Sequence, residues 1–225
     1  MRWVAVMFDF DESYLEVEEQ VIVRAVQTHR EAYADALKAG FDVLVSLLLL
    51  FPLALFAFSL LLLNPFFNAG PLLFLQRRMG RDCKPFIAVK FRTMRPEAVA
   101  TRGAFDGVET DRISWLGYVL RKTRIDELPQ IINVLKGEMS LIGPRPDAYS
   151  HAQTYLKSVP GYAQRHRVLP GISGYAQTEV GYVEDFADIA RKVEADLYYI
   201  ANYSFRFDLW ITWRTLCVVL GRQGQ

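Results

Sequence analysis

With 225 residues, a net charge of +1 and 52% hydrophobic residues, the chain can form one domain of ordinary size, or a smaller domain with an attachment device. Its two cysteines, Cys83 and Cys217, are too few and too far apart for a disulfide framework or a thiolate metal site, and are expected as unpaired thiols. The near-neutral total hides a division: residues 1–38 hold four basic and eight acidic side chains, whereas residues 77–124 hold twelve basic and five acidic. A basic block of that kind draws an anionic membrane surface or a polyphosphate ligand, or is a solvated face obeying the positive-inside rule.

Residues 3–10 (WVAVMFDF) form an apolar run that reads as a short strand, and Leu15, Ile22, Val26, Tyr33 and Leu37 fit an amphipathic helix over 14–38. Asp9-Phe10-Asp11 invites comparison with aspartate-nucleophile phosphatases, but the apolar segment starts where that fold would still need its core. From Val43 to Leu63 there is no charged residue, a length sufficient to cross a hydrocarbon layer of roughly 30 Å as a helix. It is not expected to be a signal peptide, because about forty residues, many of them acidic, precede it. Pro52 near its middle removes a backbone donor and predicts a kink or break. Arg24, Arg30 and Lys38 lie before the segment, and Arg77, Arg78, Arg81 and Lys84 after it. A spanning helix concentrates cations on one side, so this symmetry favours a helix that turns back to the same face.

After the turn signals Asn64-Pro65 and Gly70-Pro71, residues 71–94 show two apolar runs around a basic, glycine-containing loop, the pattern of a β-hairpin. Residues 113–122 read as a helix. Pro129 can occupy a first helical position, with the helix continuing to 136 and closed by Gly137. That would place Asp126 and Glu127 just before a helix N-terminus, where backbone donors and the dipole favour anions. Residues 185–200 are expected as a helix. The aromatic-rich stretch 197–220 suits a helix lying in a membrane interface or one buried in a core.

The chemistry centres on adjacent carboxylates set among guanidinium groups. An aspartate can attack phosphorus and form an acyl-phosphate, and a neighbouring glutamate can hold Mg²⁺. By spacing alone the pair could be ordinary helix-start acids, since Thr123-x-x-Asp126 also matches a capping box. The wider pattern argues otherwise. Lys90-Phe91-Arg92-Thr93-Met94, Arg121 five residues before Asp126, and Gly143-Pro144-Arg145-Pro146 accompany the pair in order, and the stiff Gly/Pro setting would hold the Arg145 fork for bidentate phosphate contact.

This series resembles the monotopic phosphoglycosyltransferases, bacterial enzymes that load a phosphosugar onto a polyprenol phosphate. The likeness runs from Phe41-Asp42 through the proline-bearing helix, Gly70-Pro71, KFRTM and DELPQ…NVLKGEMSLIGPRP to PGISGYAQ, DLYY and Ser204…Asp208, about four-fifths of the chain. The resemblance implies that Asp126 attacks the β-phosphate of a UDP-sugar and releases UMP. Glu127 would bind Mg²⁺, and undecaprenyl phosphate would then collect the phosphosugar. Lys90, Arg92, Arg121 and Arg145 would contact phosphates or orient the dyad, with Asp208 supporting the site from the C-terminal segment.

The implied fold is α+β, mostly helical with a small β-hairpin. It would be a monotopic membrane protein with a re-entrant helix broken at Pro52 and interfacial amphipathic helices, on the cytoplasmic face of the bacterial inner membrane. Three parts follow: an N-terminal extension (1–38), the membrane helix (39–66) and a catalytic domain (67–225). Membrane lipids are expected partners, a homodimer is open, and nucleic acid is not expected. Phe51 stands where many relatives have Ser, Thr178-Glu179-Val180-Gly181 replaces the frequent Val-Asn-Gly, and residues 1–38 carry no interpretable motif beyond a dimer contact or surface helix. Competing readings are a glycosyltransferase releasing UDP and a non-catalytic scaffold for glycan assembly.

Overall fold

A computed structural model describes residues 32–95, 103, 110–180 and 186–220. The expected strand at 3–10 and most of the helix over 14–38 lie outside the described residues. Helix α1 (Ala32–Phe67) stays helical through both Pro52 and Pro65, so any interruption at Pro52 is not a non-helical break. It is long and apolar enough to cross a membrane by length and composition.

Its burial is one-sided. Asp35, Lys38, Asp42, Ser46, Leu49, Leu53, Phe56, Leu60 and Asn64 are buried or half-buried at intervals of three and four, a single helical face. The opposite face exposes Leu44, Leu48, Phe51, Leu55, Phe58 and Leu62. Both ends are fastened to the rest of the chain. Lys38 donates to the Ile142 carbonyl (2.9 Å) and Asp208 (2.5 Å), and Asp42 accepts from the Leu141 amide. At the far end, Asn64 donates to the Gly70 carbonyl and Asn68 to the Arg92 carbonyl.

The expected hairpin is present: β1 (Leu73–Met79) pairs antiparallel with β2 (Pro85–Phe91) in a register that sets Phe74 against Lys90 and Arg78 against Phe86. The outer edge of β2 is closed by Asn133, fully buried. Its side chain accepts from the Val89 amide and donates to the Ile87 carbonyl, pinning the strand to the segment that carries the acidic pair. Helix α2 (Trp115–Lys122) is capped by Ser114, whose hydroxyl accepts from the Gly117 amide. Thr123 turns its hydroxyl back to the Val119 and Leu120 carbonyls, so it ends α2 rather than starting a capping box. Arg124 then adopts a left-handed backbone (φ 59°), and the chain enters a 3-10 helix (Ile125–Gln130) followed by α3 (Ile131–Leu135). Asp126 and Glu127 therefore lie in the first turn of the 3-10 helix, with Pro129 inside it, not before a helix begun at Pro129.

A second two-stranded sheet was not foreseen. Strands β3 (Ser140–Ile142) and β4 (Gly171–Ser173) pair in parallel and bring the GPRP and PGISG segments together. Glycine is required there, because a Cβ on Gly171 or Gly174 would overlap the Gly143 backbone. Helices α4 (Tyr149–Ser158), α5 (Tyr175–Glu179), α6 (Phe186–Ala201) and α7 (Phe205–Leu220) complete the body. The aromatic stretch is thus split between two helices. Phe207 packs against the main core, as the buried reading of that stretch expects, while Trp210 and Trp213 are exposed. Cys83 and Cys217 are both free thiols.

His166 lies in the main core, its ring 5.1 Å from that of Tyr162 and its Nε2 without a hydrogen-bond partner. Burial, then the Arg165 charge, lower its pKa to about 3. A depressed histidine stabilises the fold fully above its unfolded value near 6.5 and ceases to do so as pH falls towards about 3. From pH 7.5 to pH 5 the fold should therefore lose about 2 kcal/mol from this residue. Melting temperatures at the two pH values should converge in His166→Gln and diverge in the parent; equal divergence would assign the acid sensitivity elsewhere.

Candidate active site

The 3-10 helix presents Asp126 and Glu127 as neighbours, 7% and 6% exposed. β2 delivers Lys90 from one side, its Nζ 2.8 Å from Glu127 Oε1. The GPRP turn delivers Arg145 from the other, with Nη1 donating to Glu127 Oε2 (2.8 Å) and Nη2 to Oε1 in a fork. Burial alone would push the Glu127 pKa up, but Arg145 and Lys90 outweigh it and hold the carboxyl well below its usual range. Burial lowers Lys90 to about 7, an effect that the Glu127 charge opposes.

Asp126 differs from its neighbour. Its Oδ1 is buried without a hydrogen-bond partner. Burial and then the Glu127 charge raise its pKa to about 6, with Lys90, Arg145 and Arg121 acting in the opposite sense through charge. One carboxylate is thus fully occupied by cations, and the other is left under-coordinated. That is the division of labour a nucleophile and its supporting acid require.

The GPRP turn is fastened along its length. The Gly143 amide donates to the Ser173 carbonyl and the Pro144 carbonyl accepts from Gly171. The Arg145 carbonyl accepts from Arg165 Nη2 (2.8 Å), the Pro146 carbonyl from Arg78, and the Asp147 carbonyl from the Met79 amide. The Asp147 carboxylate takes Lys192 (2.5 Å), Arg165 (2.6 Å) and the Tyr162 hydroxyl (2.8 Å). These cations hold its pKa well below the ordinary value against the effect of burial.

The structure therefore gathers Asp126, Glu127, Lys90 and Arg145 by contact, with Arg121 at the end of α2 close enough to act on Asp126 by charge. It separates two other expected residues from them. Arg92 is engaged with Asn68 at the foot of α1, and Asp208 accepts from Lys38 and Tyr199. Sequence reasoning missed Arg78, whose pKa burial lowers to about 10 and whose charge acts on Lys90. Its signal was its strand position: the hairpin register puts it on the same face as Lys90. The buried Arg165 gave no such signal.

A family model described as bacterial sugar transferase matches residues 33–222. The chain belongs to this family. Among curated relatives, a UDP-N-acetylgalactosamine-undecaprenyl-phosphate N-acetylgalactosaminephosphotransferase of Aeromonas hydrophila is 41% identical over 82% of this chain and 44% of its own length. The exopolysaccharide production protein PSS of Rhizobium leguminosarum bv. phaseoli is 39% identical over 83% of this chain and 96% of its own. A UDP-glucose:undecaprenyl-phosphate glucose-1-phosphate transferase of Escherichia coli K12 is 37% identical over 80% of this chain and 39% of its own. The chain thus spans about two fifths of two of these bacterial sugar transferase relatives and nearly all of the third.

Proposed function

We propose that this protein transfers a phosphosugar from a UDP-sugar to undecaprenyl phosphate, releasing UMP, in the assembly of an exopolysaccharide or related glycan. The observation that carries the reading is the asymmetric dyad: Glu127 neutralised by Lys90 and Arg145, beside an Asp126 oxygen buried and unpartnered. The Asp126 carboxylate attacks the sugar-bearing phosphorus. The new O–P bond forms as the bond from that phosphorus to the bridging oxygen breaks, and UMP leaves with the electron pair. An oxygen of the lipid phosphate then attacks the aspartyl phosphosugar and restores the carboxylate. Lys90 and Arg145 stand where charge gathers on the non-bridging oxygens.

Mg²⁺ would suit the site, with Glu127 as its protein ligand beside the nucleophile, since magnesium accepts one or two carboxylates and leaves its other positions to phosphates and water. When bound it would neutralise diphosphate charge. Because both Glu127 oxygens already accept from cations, Lys90 or Arg145 must pass to the substrate phosphates for Glu127 to take a metal.

The membrane reading is supported by α1: both ends are fastened to one body and one face packs along it, leaving the other apolar face free for lipid. A helix tied in this way serves a monotopic attachment to the cytoplasmic face of the inner membrane better than a crossing, and a re-entrant course would have to come from bending at Pro52 without loss of helix. The exposed Trp210 and Trp213 of α7 suit the same interface.

The test is nucleotide release. Protein in nanodiscs with Mg²⁺, undecaprenyl phosphate and a panel of UDP-sugars should yield UMP from one donor. Without the lipid, intact mass should rise by one phosphosugar. UDP as the product, or no mass gain with a donor that is turned over, would overturn the mechanism.

A further inference from the structure

Arg92 is buried, 8% exposed, yet its Nε and Nη1 have no hydrogen-bond partner. Among the described residues its guanidinium donates to the Asn68 carbonyl alone, through Nη2. The other buried cations among the described residues have carboxylates, Lys90 Glu127 and Arg165 both Asp147 and Asp196, and the half-buried Arg78 places all three of its nitrogens on Gln76 and the Pro146 carbonyl. A buried charge without a counter-ion is strongly unfavourable, and the arrangement persists only if something else uses it.

Its position says what that is. Arg92 continues β2 two residues beyond Lys90, its amide still donating to the Leu72 carbonyl. Two residues of extended chain advance about 6.6 Å, so the Arg92 backbone stands two strand positions beyond the lysine that meets Glu127, and its guanidinium turns towards Asn68 at the end of α1. That end is apolar and open: Phe66 is 83% exposed, and the half-exposed Phe67 ring stands 5.8 Å from that of the exposed Trp115. What lies against the guanidinium is an exposed glycine. A Cβ on Gly70 would lie 2.9 Å from Arg92 Cζ and overlap Nη1, so only glycine lets this turn pass so thinly over the charge.

We propose that Arg92 binds the phosphomonoester of the lipid acceptor, separately from Lys90 and Arg145, which serve the nucleotide donor. The proposal rests on the phosphosugar-transfer reading. An acceptor whose chain runs beside Phe66, Phe67 and Trp115 brings its phosphate to the Asn68–Pro71 turn. Lifting that turn exposes two vacant donors on the residue two strand positions from Lys90.

The first arm is binding, independent of turnover: undecaprenyl phosphate, undecaprenol and inorganic phosphate are titrated against nanodisc-held protein by native mass spectrometry. Arg92→Gln should weaken undecaprenyl phosphate binding about 10- to 100-fold, with Arg92→Lys intermediate and undecaprenol unaffected. Loss of inorganic phosphate binding with lipid phosphate binding intact would assign Arg92 to free phosphate and overturn the proposal. The second arm measures the aspartyl adduct formed from UDP-sugar without acceptor, which also reports folding. Adduct retained while the acceptor KM rises by a similar factor supports the assignment; adduct and acceptor binding falling together in both variants overturns it. Absence of the adduct in the parent protein, with binding still dependent on Arg92, would sink the covalent mechanism while leaving this site.

Discussion

Asp126→Asn is expected to reduce UMP release by at least about 10³-fold and to abolish the phosphosugar adduct, because the carboxamide oxygen is a far weaker nucleophile and carries no charge. The fold should survive the change. Asn is nearly isosteric, and Asp126 Oδ1 makes no hydrogen bond that would be lost. Removing a buried carboxylate beside Glu127 also relieves like-charge repulsion, one of the influences that raise the Asp126 pKa to about 6 after burial itself. Melting temperature should therefore hold or rise while turnover collapses. The comparison with Glu127→Gln separates the two roles. That change takes from Lys90 and Arg145 the carboxylate that both contact, so it should cost stability as well as rate. Adduct formation by Asp126→Asn at the parental rate would move the nucleophile elsewhere.

How far the site was legible in the sequence depended on whether its residues carried a local signature. The hairpin was legible because alternating apolar residues flank a glycine-containing loop, and the register that follows carries Lys90 to the dyad. The 3-10 entry was not. It depends on Arg124 taking a left-handed backbone, which an arginine does not announce, and a proline at 129 reads equally as a helix start. Strands β3 and β4, three residues each, are too short to show a period, although the glycines at 143, 171 and 174 mark the close approach between them. Asp208 was expected by resemblance to support the site from the C-terminal segment. In the structure it fastens α1 to α7 through Lys38, a link that no spacing across 170 residues reveals.

Arg165→Met, in the segment Gln164-Arg165-His166-Arg167, should be among the most damaging changes outside the dyad. The side chain is fully buried, with Nε and Nη2 on Asp196 (2.8 and 2.7 Å) and Nη1 on Asp147. Asp147 would keep Lys192 and Tyr162, but Asp196 would lose its direct partner in a site where burial already raises its pKa. Stranding one partner of a buried pair costs about 3–5 kcal/mol, a large share of the total stability of roughly 5–15 kcal/mol for a domain. A fall in melting temperature on the order of 10 °C follows for a chain of this size. Arg165→Met/Asp196→Leu should regain much of that loss, because the uncompensated carboxylate is gone. Turnover should not return with it. Arg165 also donates to the Arg145 carbonyl, and without that bond the turn that aims the Arg145 fork at Glu127 loses a fixed point. A double variant as stable as the parent but slow would separate support of the fold from aim of Arg145; one both stable and fully active would reduce Arg165 to a packing element.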